Sequence, residues 1–224
     1  MLTRPQPRTT FDWGVYANAT FAGLSALIPL PFLDSLFEWF FRQRMVRAIA
    51  RRRGLSLAPV VVYEINRSDE SWLQSCALLP VTLTFQLVKR LSKKLLYFMT
   101  IKEATDKLSY YWHRAFLLDY MLLERHLDEL ASAQVARRAL EQTLRTTTTS
   151  PLLQLAQQTA RGTRHVLPSL RRARVGNEDE VIQQKKTLMA QAWENFGDYL
   201  EALAGRYDQA YAEALAASQA KQPG

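Results

Sequence analysis

The sequence predicts an all-α fold: a multi-helix bundle with an apolar, proline-broken helical hairpin near its N-terminus. Three observations carry this expectation. Only 8 glycines occur among 224 residues, too few for a β-rich or loop-rich fold. Apolar residues make up 48% of the chain, ample for a core at this length. They also recur at three- and four-residue spacing through long segments, which is the period of a helix face. The chain is therefore read as a single all-α domain over residues 1–224. Within it, residues 12–101 form an apolar and basic half expected to associate with a membrane, and residues 102–224 form a soluble helical half.

The first element is an uncharged run over residues 17–33. A straight transmembrane helix needs about 20 mainly apolar residues, and this run is shorter. Pro29 and Pro31 each remove a backbone donor and disfavour helix at Ile28 and Leu30. A turn near residues 28–31 and two helical arms, over 12–28 and 32–53, follow from this. In the second arm Phe37, Phe41, Met45 and Ile49 recur every four residues with Phe40 beside them, giving an aromatic and aliphatic stripe. Arg42, Arg44, Arg47, Arg51, Arg52 and Arg53 take the other faces. Asp34, Glu38 and Arg42 are one turn apart and can align as an acidic-to-basic ladder, with Asp34 at the positive helix start and Glu38 paired to Arg42. That arrangement explains the two carboxylates without acid/base catalysis.

Residues 57–65 are locally strand-like through Val60, Val61 and Val62. A lone strand has nothing to pair with, so an extended linker or a tertiary override into helix is expected. Residues 66–68 read as a turn, Ser68 or Asp69 as the cap of a helix through Trp72, Cys76 and Leu79, and Pro80 as its interruption. Over residues 81–101, Leu87, Leu91, Leu95 and Phe98 share one face, while Lys89, Arg90, Lys93 and Lys94 crowd the others. Such a basic amphipathic helix suits a membrane surface. It equally suits an ordinary core helix with a solvated basic face.

Residues 105–130 form a dense aromatic helix, with Leu108, Trp112, Ala115, Phe116, Leu123 and Leu127 at helical spacing. His113 and Asp119 are six apart, and Glu124 and His126 two apart, so neither pair shares a helix face. No metal-binding motif is present; no metal and no cofactor is expected, and the histidines are read as hydrogen-bonded helix residues. Beyond residue 131, Thr146 to Thr149 ends one helix and Ser150 with Pro151 starts the next. Asn177 and Glu180 are spaced as a capping box for a last helix through about Ser218, with Met189, Ala192, Trp193, Phe196, Leu200 and Leu203 as its packing face.

The net charge is +8. Arginines at positions 137 to 174 precede an acidic final segment, and antiparallel packing of the two would partly neutralise both. The surplus thus gathers in the apolar first half, a coincidence that favours anionic phospholipid over nucleic acid. The single cysteine, Cys76, has apolar neighbours and reads as a buried thiol. Residues 1–14 lack the apolar core of a cleavable signal peptide. The run from Val15 can also be read as an uncleaved signal anchor, with arginines 42–53 keeping their side cytoplasmic.

In residues 23–55, small apolar residues are followed by Pro29, Pro31 and Asp34, then by an amphipathic stretch with Met45, Ile49, Ala50 and Gly54. This segment resembles the helical module of YcjF-like and EcsC-like bacterial proteins. The resemblance implies membrane association and, since some such modules are attached to GTPase domains, a possible GTPase neighbour. No phosphate-binding loop occurs in this chain, so any GTPase would be a separate protein. The expected function is that of a bacterial membrane-associated adaptor or organiser, not an enzyme, at the cytoplasmic face of the inner membrane. Residues 17–33 would enter the bilayer as a bent segment. Phe32, Phe37, Phe40 and Phe41 and the arginines from 42 to 53 would contact lipid, with Lys89, Arg90, Lys93 and Lys94 as a second contact. The C-terminal helices would face a protein partner. The alternative is a soluble cytoplasmic interaction scaffold with the hairpin buried in its core.

Overall fold

The computed structural model describes residues 12–25, 33–67, 93–147, 151–159, 187, 190–191 and 193–220, with the side chains of 33–35 and 93–100 outside that set. Among the described residues there are seven helices and no strand, an all-α bundle. They are α1 (Trp13–Leu24), α2 (Leu33–Arg52), α3 (Pro59–Asn66), α4 (Lys93–Leu123), α5 (Leu130–Thr146), α6 (residues 151–159) and α7 (Gly197–Gln219). Helix α4 is the centre: every residue from 111 to 122 is buried, so all its faces are covered there. Helices α1 and α2 pack on it and on each other, α7 packs chiefly on α5, and α3 bridges α2 and α5.

The hairpin forms as an antiparallel pair. At its base Asp12 caps α1 by accepting from Gly14 N at 2.8 Å, and it also receives Arg52 Nε from the end of α2 at 3.0 Å. At its tip Phe21 stacks on Phe41, with ring centroids 5.3 Å apart. Pro29 and Pro31 lie outside the described residues. The described part of the uncharged run packs inside the protein: Ala19 and Ala22 are fully buried, and Trp112 Nε1 of α4 donates to Thr20 Oγ1 at 3.0 Å. Gly23 is what allows this approach. A Cβ there would stand 2.6 Å from Leu108 Cα, so the two helix backbones touch with no side chain between them.

Both α2 and α4 stop by the same device. At the end of α2, Leu55 N bonds Ala50 O at 2.9 Å and Gly54 N bonds Arg51 O at 3.0 Å, with Gly54 left-handed at φ 71°. At the end of α4, His126 N bonds Met121 O at 2.9 Å and Arg125 N bonds Leu122 O at 3.3 Å, but the left-handed residue is Arg125, φ 62°. These are two Schellman closures, one with the glycine that suits the position and one without.

One of the two alternatives for the valine segment holds, and several other sequence expectations need correction. Residues 59–66 are helical, the tertiary override: Pro59 sits where the first turn needs no donor, and Val61, Val62 and Ile65 are buried on one side. The aromatic helix ends at Leu123, before a turn over 124–129. Glu38 does not bind Arg42; it accepts from Lys107 Nζ at 2.8 Å and from the Tyr111 hydroxyl at 2.5 Å, tying α2 to α4. Arg137 of α5 turns to Glu64 of α3 at 2.9 Å rather than to the acidic final helix. The α5–α7 contact carries instead a Gln142 to Glu213 bond of 3.0 Å. Cys76, and the caps expected at Ser68, Asp69, Ser150 and Asn177, lie outside the described residues.

Candidate functional site

The stripe expected on α2 divides when it is wound at 3.6 residues per turn. From Phe37 to Ile49 is twelve steps of about 100°, which ends about 120° from the starting direction. Met45 and Ile49 therefore face the core and are fully buried, Phe41 lies on the boundary, and Phe37 faces outward. The residues that do share the outer face are Leu36 with its neighbour Phe37, then Phe40, Arg44, Arg47 and Arg51 at steps of three or four, all exposed. One face thus carries apolar side chains in its first turns and arginines in its last. Phe37 and Arg51 are about 21 Å apart along the axis.

The apolar end is broad. Leu36 is 57% exposed, Trp39 59%, and Phe37 and Phe40 each 41%. Phe21, exposed on α1, extends it. Phe41 is the hub, with Phe21, Phe40 and Phe37 at centroid distances of 5.3, 5.4 and 6.3 Å. The Arg44 guanidinium lies over the Phe40 ring at 5.2 Å, a cation–π contact that joins the aromatic and basic halves of the face.

The remaining candidate residues separate. Arg53 is internal: its Nε and Nη2 reach both oxygens of Asp119 at 2.5 and 2.7 Å, a buried fork-on-carboxylate pair between the end of α2 and α4. It is withdrawn from any lipid-facing set. Arg42 is half-buried and donates to Asn66 O at 2.9 Å. Arg52 is exposed and paired with Asp12. Phe32, Lys89 and Arg90 lie outside the described residues, and Lys93 and Lys94 open α4 with side chains outside that set.

The structure adds a buried polar layer. Arg114, 2% exposed, donates to Ile65 O at 2.7 Å, so with Arg42 it caps the C-terminal end of α3. Burial pulls the Arg114 guanidinium below its usual range. Arg137 binds Glu64 at 2.9 Å and Glu141 at 3.1 Å. Burial by itself would lower Lys107, but its contacts with Glu38 and Glu103 outweigh that and leave it raised. Burial raises Tyr111 strongly, assisted by the Glu38 carboxylate. The signal for Arg114 was its place within an aromatic run whose every face the core would need.

Both histidines are held by hydrogen bonds. Ser109 O can only accept, so His113 Nδ1 carries the proton and donates at 2.5 Å, while Nε2 accepts from the Tyr199 hydroxyl at 2.7 Å. Burial lowers His113 to about 4, against an opposing pull from the Ser109 carbonyl and with help from Arg206. His126 stacks on Tyr211 at 3.7 Å and meets the Tyr207 hydroxyl at 3.0 Å. Among the described residues there is no group of three metal-ligating side chains, and no helix is long and apolar enough to cross a membrane. No family model matches the chain, and neither a curated protein nor a solved structure matches it.

Proposed function

We propose that this chain is a membrane-docking helical adaptor whose contact with anionic phospholipid is the outer face of α2 together with Phe21 of α1. The observation that carries this reading is the division of that face into an exposed aromatic end and an exposed arginine end. Aromatic rings suit the boundary between headgroups and acyl chains, and each arginine near an anionic surface contributes up to about 1 kcal/mol. The resemblance of residues 23–55 to YcjF-like and EcsC-like modules supports the same reading, with the cytoplasmic face of the inner membrane as its setting. Docking is peripheral: the tip enters the interface, the arginines hold headgroups, and α5 and α7 remain for a protein partner.

Sedimentation with phosphatidylglycerol vesicles tests this. The parent should pellet with them at low salt. Replacing Phe37 and Phe40 with Ser, or Arg44, Arg47 and Arg51 with Gln, should each reduce the pelleted fraction without altering the melting midpoint. A parent that stays in the supernatant at low salt rejects the proposal. The burial of Val15, Tyr16, Ala19 and Ala22 favours, in that event, the scaffold reading in which the hairpin is a core element and the outer face serves a protein.

A further inference from the structure

The exposed apolar side chains of α2 make a short band around the helix, not a stripe along it. Leu36, Phe37, Trp39 and Phe40 are all exposed, and from Leu36 to Phe40 the axis advances only about 6 Å. Taking Leu36 as zero, Phe37 points to about 100°, Phe40 to about 40° and Trp39 to about −60°. They fan over an arc of about 160°, and exposed Phe21, stacked on Phe41, carries the band onto α1. Beyond Phe40 the exposed residues of α2 are Arg44, Arg47, Arg51 and Arg52 and no others. Arg44 reaches back over the Phe40 ring at 5.2 Å, to the edge of the band. Arg51 begins about 10 Å further along the axis, and its Nε donates to Arg47 O at 3.3 Å.

A helix lying in the plane of a membrane needs an apolar stripe along its length. A band that circles one end meets a flat surface only when the axis stands steeply to it. We infer that α2 docks end-on, with Trp39 entering the lipid on the flank opposite Phe37 and with Arg44 as the arginine that grips the phosphate of an anionic phospholipid. This pose rests on membrane docking as proposed, and adds to it a lipid contact and the residue that selects the headgroup. Trp39 decides between the two poses. Arg44, Arg47 and Arg51 point to about 80°, 20° and 60°, so a helix lying on its arginine face turns Trp39 about 110° away from the lipid. The headgroup layer of one leaflet is about 5–8 Å deep. In the end-on pose Arg44 and Arg47 therefore stand within it, where a planar guanidinium fork fits phosphate oxygens. Arg51 stands at its outer limit and acts only through the screened field.

Single variants of the full chain, titrated with phosphatidylglycerol vesicles at low salt and read by sedimentation, test the pose. Phe37→Ser and Trp39→Ser should each weaken binding by about three- to tenfold. Arg44→Gln should weaken it about fivefold, and Arg51→Gln less than about twofold. Arg44→Lys, which keeps the charge and loses the fork, should fall between Arg44→Gln and the parent. All of these side chains are exposed, so the melting midpoints should match the parent's. A parent that pellets while Trp39→Ser binds equally well, or while Arg51→Gln loses as much as Arg44→Gln, overturns the end-on pose and leaves docking standing. A parent that does not pellet removes the docking itself.

Discussion

Asp119 would be a lone carboxylate in the core without Arg53, whose guanidinium grips both its oxygens. Arg53→Met should therefore cost about 3–5 kcal/mol in urea unfolding, and adding Asp119→Leu should recover much of it, because the penalty lies in the unmatched charge. A loss under 1 kcal/mol in the single variant would show that water reaches the pair. His113 gives a pH prediction with a definite sign. Its folded value, about 4, lies below the ordinary 6.5, so between those values the unfolded chain binds more protons. Stability from this group is complete above pH 6.5 and falls as pH drops toward 4, by up to about 3 kcal/mol. His113→Gln should flatten that part of the stability profile; an unchanged profile would contradict the buried, neutral imidazole. The role of Arg53 was not legible in the sequence, and of His113 only that it is a hydrogen-bonded helix residue, because the partners are remote: Asp119 is 66 positions from Arg53 and Tyr199 is 86 from His113. Sequence spacing speaks only for neighbours on one helix, and it placed Arg53 with the solvent-facing arginines.

Among the elements, the two helix ends make a controlled comparison. Gly54 occupies its left-handed position freely, whereas Arg125 carries a Cβ in the same geometry. Its bond to Asp128, 2.7 Å but exposed, offsets little. Arg125→Gly should raise stability by about 1 kcal/mol, read from the denaturation midpoint; a loss would mean that the Asp128 contact outweighs the backbone. Glycines inside helices divide similarly. Gly205 of α7 has open space around its missing Cβ, while Gly23 meets Leu108 backbone. Gly205→Ala should gain about 0.5–1 kcal/mol, and Gly23→Ala should lose about 1–3 kcal/mol as α1 is pushed off α4. Equal melts for the two variants would refute the close crossing. The arms of the hairpin and the packing residues Leu200 and Leu203 were legible because helical periodicity marks them directly, but the last helix was read as one piece, whereas the chain turns at residues 195–196 and buried Trp193 packs from before α7. The face of α2 was not, since four-residue repetition mimics a stripe over two turns and rotates off it by the third. The helix α3 was legible only as one of two alternatives, since three consecutive valines look extended until Pro59 and burial of one side favour the helix.

At the scale of the molecule, charge is arranged in two ways. Some cations are folded inward against partners, and Arg44, Arg47 and Arg51 remain outside on one face. If that face meets anionic lipid, binding should weaken as salt is raised, because contacts at the surface are screened within about 8 Å at physiological ionic strength. The Gln variants at those three positions should lose that salt dependence, while the Ser variants at Phe37 and Phe40 should keep its slope and lose affinity. Identical salt profiles for all of them would detach the arginines from the interaction. The tie from Glu38 to Lys107 and Tyr111 bears on what attachment does to the rest of the protein. The aromatic tip is moored to α4, and from Lys107 that helix runs about 24 Å to Leu123. A load taken at Phe37 and Phe40 is thus borne along the central rod to the turn where α5 begins. Were the tip docked on a membrane as proposed, the protein would stand as a stiff post, its far helices keeping a set bearing to the surface.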